Sequence, residues 1–341
     1  MGGKKMYKSK LDLIETEIGI KLIKDIFESK LAEKLSLQRV SAPRFLMIGK
    51  GLQDDLAGTQ IPVSFKTKFT DTTVEMVHSL AKWKRQALKR YGFKPGTGLY
   101  TDMDAVRKDE DVDNIHSIYV DQWDWELIIS KNERNIRFLK NTVKKIYKAI
   151  LKTEEIIGKA FPKLKPRLTK EIKFIYSEEL EEMYPKLSSK ERENKIAKKY
   201  GAVFLIGIGH PLKSGEPHDL RAADYDDWST ATSDKTKGLN GDILIWDDLR
   251  KSVLEISSMG IRVDAIALLK QLEFMGLIDR KKLEYHKGII ENNLPLSIGG
   301  GIGQSRLCMF LLQKIHIGEV QVSVWPENMV KNCGKEGIRL L

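Results

Sequence analysis

Residues 297–310, SIGGGIGQSRLCMF, hold the first group whose types and spacing could do chemistry. Gly299, Gly300, Gly301 and Gly303 precede Arg306, which opens an apolar run that reads as a helix. Glycines let a flat or charged ligand approach the backbone closely, because no Cβ stands in the way. An arginine in a first helical turn sits where backbone N–H groups already favour an anion. A glycine-rich turn capped by a surface arginine has the same spelling. The dinucleotide fingerprint is excluded, because its sixth position is Arg306 and not glycine. Arg107 and Glu110 form a second group. Arginine offers a phosphate a rigid two-pronged fork, and a nearby carboxylate can orient that fork or a base amino group. Glu255, Ser258 and Arg262 form a third, in which carboxylate and hydroxyl oxygens suit Mg²⁺. Strand parity pairs Glu255 with Ser257, so Ser258 joins it only across a bulge or bend near 257–260. Each group alone is also compatible with a solvated hairpin.

These residues need elements to hold them. The periodicity predicts a long helix over 8–35, with Leu11, Ile14, Ile18, Leu22 and Ile26 in line and Ile23, Phe27, Leu31 and Leu35 beside them. Residues 39–45 read as a short strand stopped by Pro43, and 63–69 as a strand. A basic-faced helix is expected over 78–92. Residues 98–129 read as two strands joined by a charged loop. In the second, the period of two sets Ile118, Val120, Gln122 and Asp124 on one face and Tyr119, Asp121, Trp123 and Trp125 on the other. Residues 131–200 read as mostly helical. A buried strand at 201–209 and a loop at 221–228 follow, then a hairpin from 241–246 to 252–260. A helix from about Asp264 and a last strand near 319–325 complete the series. Long helices beside antiparallel hairpins, with no βαβ alternation, argue for an α+β fold around an antiparallel sheet.

The sequence has 341 residues and is 41% hydrophobic, enough for a sizeable core. No apolar run approaches the roughly 18 residues of a membrane span, so no membrane partner is expected. The start, MGGKKMYKSK, has no apolar core and reads as no signal peptide, and Met6 breaks the myristoylation pattern. Cys308 and Cys333 offer no disulfide framework and too few ligands for structural zinc, which points to a reducing, cytoplasmic setting. The net charge is +11, and residues 131–200 carry nearly all of it, with 20 Lys/Arg against 10 Asp/Glu. Such a run raises nucleic acid as a partner, although a solvated helical face is its commoner cause.

The G-x-G-x-x-R of 301–306 resembles motif 3 of class II aminoacyl-tRNA synthetases, and Arg107 with Glu110 resembles their motif 2. The words HSLAKWKRQAL, GLYTDM, HSIYVDQWDWE, GAVFLIGIG, DYDDWST, LNGDILIW, ISSMGIRV and IGGGIGQSRL closely resemble one relative of that class, the ammonia-dependent asparagine synthetases, or aspartate–ammonia ligases. The resemblance runs from about residue 7 to Pro326. It implies a class II synthetase-like catalytic fold, a single domain over 1–341 with no anticodon-binding domain, and a homodimer. It also implies an ATP-dependent reaction of L-aspartate and ammonia through β-aspartyl-AMP, with Mg²⁺ and no need for nucleic acid.

By the same resemblance, Arg107 grips the α-phosphate and the carboxylate under activation, with Glu110 beside it. Arg306 lies on the triphosphate. Glu255 and Ser258 hold Mg²⁺, and Asp226 joins them at the nucleotide. Lys84, with Ser79 close by, contacts aspartate. Gln122 and Asp124 fit its polar groups, Arg262 is a candidate for a carboxylate, and Asp54 or Asp124 holds ammonium. Leu52 and Asp55 stand where a threonine and an asparagine are expected, and Lys108 and Ala223 where prolines are usual, so Asp55 competes with Asp54 for the role. Loading of aspartate or asparagine onto tRNA, and a catalytically dead binding protein, are the competing functions.

Overall fold

Asp12 starts the first helix, α1 (Leu13–Leu35), because its side chain accepts from Glu15 N–H while Glu15 reaches back to the Asp12 backbone. The structure, a computed structural model, describes residues 7–56 and 60–341. Ile23, Phe27, Leu31 and Leu35 of α1 are buried. Of the other line, Leu11 is buried and Leu22 and Ile26 pack half-buried against the core, whereas Ile14 and Ile18 are exposed.

In chain order come β1 (Leu37–Arg39), β2 (Phe45–Met47), β3 (Ser64–Thr67), β4 (Thr70–Met76), α2 (Ala81–Arg90), β5 (Gly98–Val106) and β6 (Tyr119–Ile128). Then follow α3 (Ile136–Ala160), β7 (Lys173–Tyr176), α4 (Ser177–Met183), α5 (Ser189–Tyr200), β8 (Ala202–Ile206), β9 (Asn240–Asp247) and β10 (Ser252–Ile261). The last are α6 (Ala265–Phe274), α7 (Glu284–Ile290), β11 (Ser297–Gly303), α8 (Gln304–Leu311) and α9 (Glu327–Glu336).

One sheet of eight strands runs β1-β5-β6-β11-β10-β9-β8-β7, and a second has β2-β4-β3. The large sheet is antiparallel except at its two ends, where β1–β5 and β7–β8 are parallel. The expected α+β architecture is therefore present. Trp123, Trp125, Ile243, Leu254 and Ile302 bury one face of the sheet against α1, α3 and α8. On the opposite face α2 covers one end, through Trp83 and Leu88 on Leu99 and Met103. There α5 covers the other end, through Ile196 on Val203 and Leu205. The strands between, β6, β11 and β10, form the floor of a cavity.

The lysine-rich segment is mostly helical, as expected, with one strand, β7, whose Phe174 packs on Phe204 of β8. Three expectations are corrected. Residues 39–45 are not one strand, because β1 and β2 flank Pro43 and join different sheets. No strand forms over 319–325: Ile317–Glu319 is a helical turn, and Val322 and Val324 point outward without a pairing strand. Finally, the glycine-rich stretch is no turn. It is β11, paired on both sides in the middle of the sheet. Among the described residues no helix is long and apolar enough to cross a membrane.

Candidate active site

All twelve residues singled out in the sequence line one cavity of about 450 Å³. The strand register orders them. Gly299 pairs with Glu126 and Gly260, Gly301 with Asp124 and Ser258, and Gly303 with Gln122. Arg306 folds back from α8 so that its Cβ would lie 3.3 Å from a Cβ placed on Gly303. One end of the cavity thus holds Arg262, with the buried Glu126 behind it, the middle Asp124 and Ser258, and the far end Gln122, Glu255 and Arg306. Arg107 follows the last residue of β5 at that far end.

β11 makes this floor by leaving side chains out. A Cβ on Gly301 would lie 2.4 Å from Gln122 Oε1 and 2.7 Å from Asp124 Oδ1. One on Gly299 would lie 1.9 Å from Glu126 Oε2. The requirement here is steric, since neither glycine has a left-handed backbone.

A bulge supplies what strand parity lacked. Between Glu255 and Ser257 the β9–β10 register shifts by one, leaving Ile256 unpaired. Ile256 turns into the core, and Glu255 and Ser258 both line the cavity. The bulge lies one residue before the predicted 257–260 stretch.

The three arginines differ in what their forks already hold. Arg262 is buried, with Nε 3.0 Å and Nη2 2.8 Å from the Glu126 carboxylate, and Nη1 paired with Asp226. Burial opposes charge on Glu126, but Arg262 outweighs it and holds the carboxyl below its usual range. Asp226 differs: burial outweighs Arg262 and Arg221, and its carboxyl is raised. Among the described residues Arg107, by contrast, meets just the His78 carbonyl at 3.5 Å and Glu110 at 4.0 Å, and its buried Nε has no partner there. Arg306 donates to the Glu255 carbonyl at 3.0 Å.

Lys84 is buried, with Nζ 2.8 Å from the Gly300 carbonyl oxygen and 3.3 Å from Asp124 Oδ2. Burial pushes its ammonium down. Ser79 Oγ donates to Asp54 Oδ2 at 2.5 Å, and Leu56 N–H donates to Oδ1 at 2.8 Å. Asp55 turns away to pair with Arg280, so only Asp54 of the two enters the cavity.

Three further groups were missed in the sequence. Asp242 pairs across β9–β10 with Ser258 and forms an ion pair with Arg221, another cavity residue. Its Oδ1 is buried, with no partner among the described residues. Burial, reinforced by Glu255 and opposed by Arg221, pushes Asp242 up to about 7. The available signal was one acid inside the apolar strand GDILIW. Tyr225, in the loop before Asp226, also lines the cavity, and burial pushes its phenol well up. Glu126 had the plainest signal, since it continues the Gln122–Asp124 face by the same period of two.

The sequence pattern describing the family "Aspartate-ammonia ligase" matches residues 14–337. A Clostridium perfringens aspartate–ammonia ligase is 55% identical over 338 residues, covering 99% of this chain and 98% of that protein. The chain belongs to the aspartate–ammonia ligase family. A Parabacteroides distasonis aspartate–ammonia ligase is 52% identical over 98% of the chain and 97% of its own length. Among solved structures, an asparaginyl-tRNA synthetase from Pyrococcus horikoshii complexed with asparaginyl-adenylate superposes with a TM-score of 0.66 at 16% identity. That match covers 91% of this chain and 70% of the synthetase. The aspartate–ammonia ligase chain therefore has the class II synthetase fold.

Proposed function

We propose that this aspartate–ammonia ligase makes L-asparagine from L-aspartate, ammonia and ATP through a β-aspartyl-AMP intermediate, releasing AMP and pyrophosphate. The ordering along β11 carries the reading. Two arginines with unfilled forks, Arg107 and Arg306, stand at one end. The buried Lys84–Asp124 pair stands toward the other. A nucleotide at the first end and a small zwitterion at the second bring an aspartate side-chain carboxylate against an α-phosphate.

Lys84 faces an aspartate carboxylate, and Gln122 and Asp124 face the α-ammonium. Ser79 holds Asp54, which holds ammonium until it loses a proton. Arg107, steadied by Glu110, bridges the α-phosphate and the attacking carboxylate, and Arg306 takes the outgoing phosphates. These are fixed charges aimed at the charge that develops. Arg262 keeps Asp226 and Glu126 in place, since its fork is filled by them. The amine lone pair then attacks the acyl carbon, and the acyl–phosphate bond breaks to AMP.

Glu255, Ser258 and the buried Asp242 oxygen make a hard-oxygen set that fits Mg²⁺. Among the described residues no three His, Cys, Asp or Glu gather to hold a metal. That suits Mg²⁺, which binds through one or two carboxylates plus substrate phosphates. When bound, it neutralises phosphate charge.

The exposed Ile14 and Ile18 suit a homodimer contact, a single catalytic domain accounts for the chain, and a cytoplasmic location suits its two free cysteines.

Aspartate, ATP, Mg²⁺ and ammonium without RNA should yield asparagine and AMP in equal amounts. Glutamine in ammonia-free buffer should yield none, because Cys308 is buried and its thiol is pushed up by burial, away from a nucleophilic thiolate. ADP as product, or a requirement for tRNA, would overturn the reading. Arg107→Lys keeps the charge and loses the fork. Aspartate-dependent ATP–pyrophosphate exchange should then fall at least about tenfold, since one charge-assisted contact is worth roughly 1.5–3 kcal/mol. An unchanged rate would remove Arg107 from activation.

A further inference from the structure

Asp54 and Asp55 leave loop 50–56 in opposite directions. Asp54 enters the cavity, and Asp55 forms an ion pair with Nη1 of Arg280, in the turn Ile278–Lys282. The same Nη1 lies 3.3 Å from Asp224 Oδ2. Asp224 is fully buried and accepts from Lys82 Nζ at 2.7 Å, with His286 Nε2 at 3.0 Å. Burial opposes its charge, yet Lys82 and His286 hold the carboxyl well below the usual range.

None of Asp55, Lys82, Asp224, Arg280 and His286 lines the cavity. Each of the first three stands one or two positions from a residue that does: Asp54, Lys84 and Tyr225. The loop also rests on this cluster through Gly51, where a Cβ would meet His286 Nδ1 at 3.1 Å.

We propose that Arg280 is a positioning residue: by bridging Asp55 to the buried Asp224, it latches loop 50–56 over the cavity and so aims Asp54 at the amine. This rests on the proposed role of Asp54. The two halves of the latch differ in kind. Lys82 and Asp224 are 2% and 0% exposed, a fixed anchor, whereas Arg280 and Asp55 are 27% and 39% exposed. A partly exposed pair adds little to global stability. It can still decide how often the loop is closed. If the closed fraction falls, the apparent affinity of whatever Asp54 holds falls by the same factor.

The test is steady-state kinetics on the full chain for Arg280→Gln, Asp55→Asn, their double mutant, Arg280→Lys and Asp54→Asn. Arg280→Gln and Asp55→Asn should each raise KM for ammonium and aspartate by about three- to tenfold through the lost closed population. KM for ATP should stay put. The double mutant should be no worse than either single change, and Arg280→Lys should recover most of the loss. Equal losses for ATP and aspartate, or additive effects in the double mutant, would overturn the latch and leave Arg280 a merely structural residue. Asp54→Asn separates the two readings. If it raises both KM values while Arg280→Gln does not, the latch alone fails. If it changes neither, the role of Asp54 fails and the latch with it.

Discussion

Lys84→Met is expected to lower kcat/KM for aspartate by at least about 10²-fold, the equivalent of two lost charge-assisted contacts at roughly 1.5–3 kcal/mol each. The lysine lies on α2, buried, and its ammonium is shared by the Gly300 carbonyl and Asp124. Methionine is close in length and removes the charge. Among the described residues, the buried Asp124 carboxylate then keeps the Leu80 N–H donor at 3.2 Å. A buried carboxylate without its cation is costly, so the site would lose both its cation and the geometry of the pair, and a zwitterion would be held at neither end. The ATP end lies two register steps along β11, so ATP binding measured without aspartate should change little. A kcat/KM within tenfold of the parent would show that aspartate is held elsewhere.

Gly299→Ala is expected to destabilise the fold by about 3–5 kcal/mol, the cost of disrupting one partner of a buried ion pair. Alanine in a strand ordinarily stabilises relative to glycine. Here its Cβ would lie 1.9 Å from Glu126 Oε2 and 2.7 Å from Arg262 Nη2. Glu126 must move, and with it the contacts to Arg262 and to Ser297 Oγ at 2.7 Å. The sign of the pH dependence follows. The folded-state carboxyl is held below the ordinary 4.5, so the pair contributes fully above that value. Its contribution is lost as the pH falls through the folded value. Urea unfolding should therefore show a large gap between variant and parent at neutral pH, narrowing in acid. A neutral-pH gap under about 1 kcal/mol would show that the pair can shift without breaking.

What the sequence made legible is the chemistry of single residues, and what it hid is the direction each faces. Gln122 and Asp124 were placed together by a period of two, because β6 is regular there. Glu255 and Ser258 were grouped by their oxygen chemistry against strand parity, and the bulge that joins them could be placed only to within a residue, since a bulge depends on the neighbouring strand as much as on its own residues. Asp54 and Asp55 are chemically identical, and their partners, Ser79 for the first and Arg280, far along the chain, for the second, tell them apart. The same holds for α1. Its two apolar lines look alike in sequence, and the fold buries one but leaves Ile14 and Ile18 of the other exposed. Val322 and Val324 alternate as strand residues do, but no strand edge meets them. The glycines of β11 read as a turn because glycine is the usual turn former. Their reason lies in Glu126, Gln122 and Asp124 across the sheet.

The pairing of β11 between β6 and β10 also bears on how the protein is made. Trp125 meets Gly300 across about half the length of the chain. Such distant pairing closes late and slowly, because loop entropy is lost before contacts form. A nascent chain that has emerged only as far as α7 carries β6 and β10 with facing edges bare. Its polar and acidic side chains, Gln122, Asp124, Glu126 and Glu255, have no floor between them. During synthesis these two edges are the stretch of backbone most open to mispairing and to chaperone capture. The few residues of SIGGGIG, the last strand of the sheet to arrive, close both at once.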